Sequence, residues 1–106
     1  MWQIEFNATA EADLLRLDKA VRQRILNFLL ERVKPHAAPE QLAEPLAGEF
    51  QGLYRFRVGD YRIVFHLRRN RLLILVLFVD HRSTVYERRS LPSDFKREAD
   101  EDTDAT

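Results

Sequence analysis

The stretch from Leu53 to Leu67 reads Leu-Tyr-Arg-Phe-Arg-Val-Gly-Asp-Tyr-Arg-Ile-Val-Phe-His-Leu. Its alternation sends Tyr54, Phe56 and Val58 to one side of a strand and Arg55 and Arg57 to the other. Gly59-Asp60 suits a two-residue type II′ hairpin turn, which takes glycine first. That turn pairs Val58 with Tyr61 and Arg57 with Arg62, so Arg55, Arg57 and Arg62 share the face away from the aromatics. Like charges opposed across a ladder repel. Such a trio is tolerated most readily where an anion, a phosphate or a partner's carboxylate, sits among them. Arginine stays charged at physiological pH and grips phosphate oxygens bidentately. The row therefore suits binding a phosphodiester and stabilising charge that builds on it, and suits general-base work poorly.

An apolar run, 72–79, leads into Asp80-His81-Arg82 and then Tyr86. Pairing Leu67 with Leu72 across a turn at 68–71 sets Val79 opposite Asp60, which brings His81 and Arg82 beside Arg57 and Arg62. Histidine is the side chain whose unperturbed pKa lies close to neutrality, so His81 suits moving a proton to or from a ribose hydroxyl or leaving oxygen; the plainer reading is a strand-end histidine bonded to a backbone carbonyl. Tyr86 suits donating to a phosphate, acting as an acid among arginines or stacking on a base, against the plainer role of a half-buried strand tyrosine. Asp80 is expected to pair with an arginine or cap a turn, His66 to fill the sheet face or meet a partner, and His36 to be solvated. Arg68, Arg69 and Arg71 read most simply as a solvated turn tip, with non-specific tracking of a nucleic-acid backbone as the functional alternative.

These groups need a scaffold. Residues 2–6 alternate as a first strand with Trp2, Ile4 and Phe6 facing one way. Thr9 reads as a helix N-cap, followed by Glu11 and Asp13 in the first turn and an apolar side of Leu14, Leu15 and Leu17. A second helix from Asp18 carries Val21, Ile25, Leu29 and Val33 at four-residue spacing, widened by Leu26, Phe28 and Leu30, and Pro35 stops it. Residues 36–48 form a connector with a helical turn at 40–43. Three strands follow as a meander over 52–58, 61–67 and 72–79, with 83–86 as a fourth short candidate. On the assumed pairing Leu72, Ile74, Val76 and Phe78 face the helices, and Leu73, Leu75 and Leu77 share the face of Arg62 and His66. Either this is a central strand covered by neighbours, or the free protein exposes an apolar surface beside the arginines. The expected fold is α+β: an N-terminal strand, an antiparallel two-helix hairpin, and a three- to four-stranded antiparallel meander.

A chain of 106 residues supports one domain with a modest core. The expected division is a single domain over 1–93 and an acidic, disordered tail over 94–106. The zero net charge hides an asymmetry, since 94–106 carry a net −4 and the first 93 residues +4. Nine arginines against three acids lie within 50–93, which points to an anionic partner, most commonly nucleic acid. The absence of cysteine excludes disulfides and thiolate chemistry. No signal peptide or membrane span is legible, so a cytoplasmic protein is expected. Neither a glycine-rich phosphate loop nor a metal-ligand spacing is present; no cofactor or metal is expected, and a nuclease built from these groups should be metal-independent. The ribose 2′-hydroxyl would then attack the adjacent phosphorus, a route open to RNA alone.

Leu46-Ala-Gly48, the segment 52–65 and Val79-Asp-His-Arg-Ser-Thr-Val-Tyr86, after a strand and a helical hairpin, resemble the RelE branch of the RelE/ParE toxin superfamily over 1–89. The resemblance implies the toxin of a type II toxin–antitoxin pair. RelE-like members enter the ribosomal A site and cut the mRNA there, an antitoxin wraps and blocks the toxin, and the pair represses its own operon, so operator DNA is met only through the antitoxin complex. The antitoxin should offer an acidic, apolar segment. By position, Arg55 and Arg57 fall where RelE toxins carry basic active-site residues, often lysines; Arg62 and Arg82 match phosphate-stabilising arginines, and Tyr86 the C-terminal active-site tyrosine. Two departures stand out. Arginine in place of lysine moves the proton-transfer role toward His81, Tyr86 or ribosomal RNA, and the 82–86 stretch is about two residues shorter than in the best-known branch. Other classes are a ParE-like inhibitor of DNA gyrase and a non-catalytic binding or repressor subunit.

Overall fold

Asn7, not Thr9, opens the first helix of the computed structural model, which describes residues 1–85, 91–93 and 95. The Asn7 side chain accepts the Ala10 amide at 3.0 Å, satisfying one of the donors a helix start leaves unpaired. Helix α1 (Ala8–Leu15) follows strand β1 (Gln3–Phe6), and α2 (Lys19–Phe28) runs on into a π-helical turn, Leu29–Val33. Ile25, Leu29 and Val33 are buried as their spacing requires, whereas Leu15 and Leu30 point outward, 75% and 57% exposed. The apolar stripe is thus narrower than the sequence suggests.

After a 3₁₀ turn at Pro39–Leu42 comes a strand with no sequence signal, β2 (Glu44–Pro45). It is two residues long, and its proline is admissible because the strand lies at the sheet edge. β3 (Tyr54–Val58), β4 (Tyr61–Arg68) and β5 (Leu73–His81) form the expected meander. The five-stranded order is β1-β5-β4-β3-β2, with β1 parallel to β5 and the other pairs antiparallel. Helices cover one face, where Ile25, Leu29, Phe56, Phe65, Ile74 and Val76 form the main core.

The tip of the β3–β4 hairpin is as expected: Val58 opposes Tyr61 and Arg57 opposes Arg62. Gly59 has φ +58° while Asp60 stays at negative φ, the type II′ signature. The β4–β5 register differs. Leu67 pairs with Ile74 rather than Leu72, and Leu72 belongs to the turn in the left-handed region at φ +50°. Farther along, Val64 pairs with Phe78 but Phe65 with Val76, so Leu77 is an extra residue in a β-bulge. The bulge turns both Leu77 and Phe78 to the face away from the helices, correcting the expected orientation of Phe78. There they join Leu53, Val64, Val85 and Phe95 in a second core cluster. The apolar β5 is therefore a central strand, and its second face is covered by the chain itself. Phe95, just past the expected boundary at 93, is buried there, its ring 5.5 Å from that of His66.

Candidate functional site

The face opposite the helices carries the site in two cross-strand rows. Glu44, Arg55, Val64 and Phe78 are successive partners across β2, β3, β4 and β5. One repeat toward the hairpin tip, Arg57, Arg62 and Asp80 make the second row; the next pair, Tyr61 opposite His81, belongs to the helix side, where Tyr61 packs on the main core. Arg57, Arg62 and Arg82 are thus gathered at the hairpin tip, whereas His81 stands beside them on the other face, and Asp80 rather than the expected Leu77 stands opposite Arg62. Tyr86 lies outside the described residues.

Each basic group has its own environment. Glu44 Oε1 lies 3.2 Å from Arg55 Nη2 and 3.8 Å from Arg57 Nε, so the anion expected among the arginines includes a carboxylate of the chain itself. Arg55 is largely covered and Arg57 open to solvent, with side chains 14% and 61% exposed. Arg62 is buried, and its Nη1 donates to the carbonyls of Gly59 and Tyr61 at 3.0 Å each, clasping the turn. Arg82 donates its amide to the Asp60 carbonyl and holds its Nε 3.5 Å from Asp60 Oδ1, an exposed pair that a stronger anion can open. A further cation reaches the tip from α2: a Cβ built on Gly59 would sit 2.7 Å from Arg24 Nη1.

His81 packs edge-on against Tyr61, ring centroids 5.3 Å apart. The amide of Ser83 donates to its Nδ1 at 3.1 Å, and Ser83 Oγ lies 2.8 Å from the same atom. This assigns the neutral ring its proton on Nε2. His81 is thereby set to donate from Nε2, while the lone pair a base would need is engaged at Nδ1. Glu44 is the carboxylate that touches the arginine row, and nothing in its sequence context announced it; a two-residue strand has no periodicity to read.

Arg68, Arg69 and Arg71 lie at the far end of the sheet, seven residues along β4 from Tyr61, roughly 23 Å at strand spacing. Arg69 is bonded to Glu40 Oε2 at 3.0 Å, and Arg68 Nε to His66 Nδ1 at 3.4 Å. A backbone hydrogen bond at Glu40 and then the Arg69 guanidinium hold the Glu40 carboxyl below its ordinary value against the opposing effect of burial, and Arg69 is held correspondingly more firmly protonated. This end of the sheet is a structural clasp between the β4–β5 turn and the connector. Among the described residues no group of three or more His, Asp or Glu is arranged to hold a metal ion, and no helix is long and apolar enough to cross a membrane.

Residues 4–86 match the family model described as the ParE toxin of the type II toxin–antitoxin system parDE. Toxin RelG of Mycobacterium tuberculosis is 26% identical over 87 residues, which span 82% of this chain and 98% of that protein. Toxin RelE of the same organism is 27% identical over 85 residues, covering 80% and 86%. Among solved structures, the toxin–antitoxin complex RelBE2 of M. tuberculosis superposes with a TM-score of 0.69 at 25% identity, over 76% of this chain and 96% of that one. A free-state mutant of Escherichia coli toxin RelE shares the fold with a TM-score of 0.64 at 20% identity, covering 80% and 87%.

Proposed function

The chain belongs to the RelE/ParE superfamily of type II toxins, and from that premise we propose that it is a ribosome-dependent mRNA endonuclease. The observation that supports the reading is the meeting of Arg57, Arg62 and Arg82 at one hairpin tip, with the Glu44 carboxylate beside Arg57. The ribose 2′-oxygen attacks the adjacent phosphorus as the bond from phosphorus to the 5′-oxygen breaks. The 2′-hydroxyl proton passes to Glu44, and the departing 5′-oxygen takes a proton from the Tyr86 hydroxyl. A 2′,3′-cyclic phosphate and a 5′-hydroxyl result. Arg57 and Arg82 grip the phosphate oxygens and stabilise their rising charge. Arg62 acts from below by fixing the turn, and Arg55 positions Glu44. His81, packed on Tyr61 at the other face, supports the hairpin end on this reading.

A cognate antitoxin is the expected protein partner, since the M. tuberculosis relative is solved as a toxin–antitoxin complex. An acidic antitoxin segment would compete with phosphate for Arg57 and Arg82. Arg68 and Arg71, at the far end of the sheet, make a separate contact with a nucleic-acid backbone on this reading. The test is controlled expression without antitoxin, mapping RNA 5′ ends on translated and untranslated copies of one message. Cuts confined to translated copies and lost with Arg82→Ala are expected. The ParE name of the matched model supports a second reading, inhibition of DNA gyrase; growth arrest with intact messages and induced DNA damage would select it.

A further inference from the structure

Beside the arginine row the sheet face holds a cavity of about 210 Å³, walled by Leu46, Phe50, Arg55, Val64, Phe78 and Val85. We infer that it is a nucleobase pocket, receiving the base of the message nucleotide next to the scissile phosphate. The inference rests on the RNA-cleavage reading and adds the origin of sequence preference.

Size comes first. A water occupies about 30 Å³ of liquid, so the cavity has room for a planar ring system and not for a whole nucleotide. Its chemistry agrees. The Phe50 and Phe78 rings, 5.9 Å apart and inclined at 58°, give it aromatic walls. Arg55 adds the single charged side chain of the lining, and Glu44 Oε1 at 3.2 Å tethers that guanidinium in place. Unstacked RNA bases insert against aromatic rings and guanidinium planes, while apolar walls turn away phosphate and ribose.

Register supplies the third argument. Val64 and Phe78 stand in the same row as Arg55, and Arg57 and Arg62 stand in the next row on the same face. Two residues along a strand span about 7 Å, the reach of one nucleotide from its phosphate to its base. A phosphate held by Arg57 and Arg82 therefore leaves its own base at the cavity mouth. An aliphatic side chain of a protein partner would fill the walls equally well but has no need of a phosphate site one step away.

The test uses the full chain, freed of antitoxin and methyl-labelled. Guanosine 3′-monophosphate, adenosine 3′-monophosphate and inorganic phosphate are titrated in turn while the methyl signals of Leu46, Val64 and Val85 are followed. Both nucleotides are expected to move these signals and phosphate to leave them. Ala47→Phe, which fills the cavity from its rim, is expected to weaken nucleotide binding at least 10-fold with phosphate binding unchanged; stacking on one base is worth about 1–3 kcal/mol. If Ala47→Phe does not fold, Phe50→Ala removes one wall and carries the same expectation. Nucleotides that act no differently from phosphate overturn the proposal, as do pocket signals that respond to purified antitoxin and to neither nucleotide. Binding is read here without a ribosome, so a failure of the cleavage reading appears separately, as uncut translated messages.

Discussion

The backbone amide of Val79 donates to Oδ2 of Asp13 at 2.9 Å, a buried bond between α1 and β5 across 66 residues of chain. It falls just after the Leu77 bulge and beyond the end of β1, where β5 has lost its parallel neighbour. An amide left there without an acceptor would cost about 1–3 kcal/mol. The carboxylate therefore closes the sheet where strand pairing stops, and its second oxygen is bonded to Arg16 at 3.0 Å.

Asp13→Ala is accordingly expected to lower stability by about 2 kcal/mol, and Asp13→Asn by less because an acceptor remains. Urea unfolding should show a lower midpoint with an unchanged slope. An unchanged midpoint in Asp13→Ala would mean that the Val79 amide finds water.

Leu72 is half exposed and held at φ +50°, a conformation costing a side-chain-bearing residue about 1–2 kcal/mol. Leu72→Gly should raise stability by about 0.5–1 kcal/mol once the entropy of glycine in the unfolded chain is subtracted. A thermal melt with a higher midpoint checks it.

Gly59→Ala should destabilise the hairpin by about 1 kcal/mol through its positive φ. The nearby Arg24 guanidinium is the mobile end of a side chain and can step aside. Adding Arg24→Ala should then recover little stability; a full recovery would assign the effect to the close approach instead.

The depressed Glu40 carboxyl sets a pH dependence. A carboxylate whose folded pKa lies below its unfolded value contributes stability that is complete above the unfolded value, ordinarily 4.5, and is lost as pH falls through the folded one. Urea stability measured from pH 7 down to pH 3 should therefore fall less steeply below pH 4.5 in Glu40→Gln than in the unaltered protein. Parallel acid limbs in the two proteins would discard the linkage.

Within the proposed site the arginines should separate. Arg57→Ala and Arg82→Ala are expected to reduce message cleavage by about 10²- to 10³-fold with little change in thermal midpoint. Glu44→Gln should do likewise if it takes the proton. Arg62→Ala should lower both activity and midpoint, because the buried guanidinium clasps the turn. A variant of Arg62 that loses activity with an unshifted midpoint would return it to direct phosphate contact.

The hairpin was legible because Gly59-Asp60 fixes the turn and alternation fixes the faces, so the Arg57–Arg62 pair follows from local chemistry alone. The α2 stripe was legible for the same reason. The bulge was not: one inserted residue leaves hydrophobicity unchanged while reversing the face of Phe78. Asp13 read as a helix-start acid because its true partner is 66 residues away, and Glu44 was lost in a connector whose strand exists only by pairing with β3. The burial of Arg62 was hidden too, since a sequence shows that a guanidinium needs partners but not that carbonyls of its own turn will supply them.

The parallel pairing of β1 with β5 has a consequence in time. Gln3 must wait for Leu73 before its ladder can form. At a synthesis rate of about 5–20 residues per second, that wait is roughly 4–14 seconds. Throughout that interval the growing chain has no finished sheet, and Asp80, His81 and Arg82 are the last of the described site residues to be made. Whatever this surface does, a nascent chain cannot do it early.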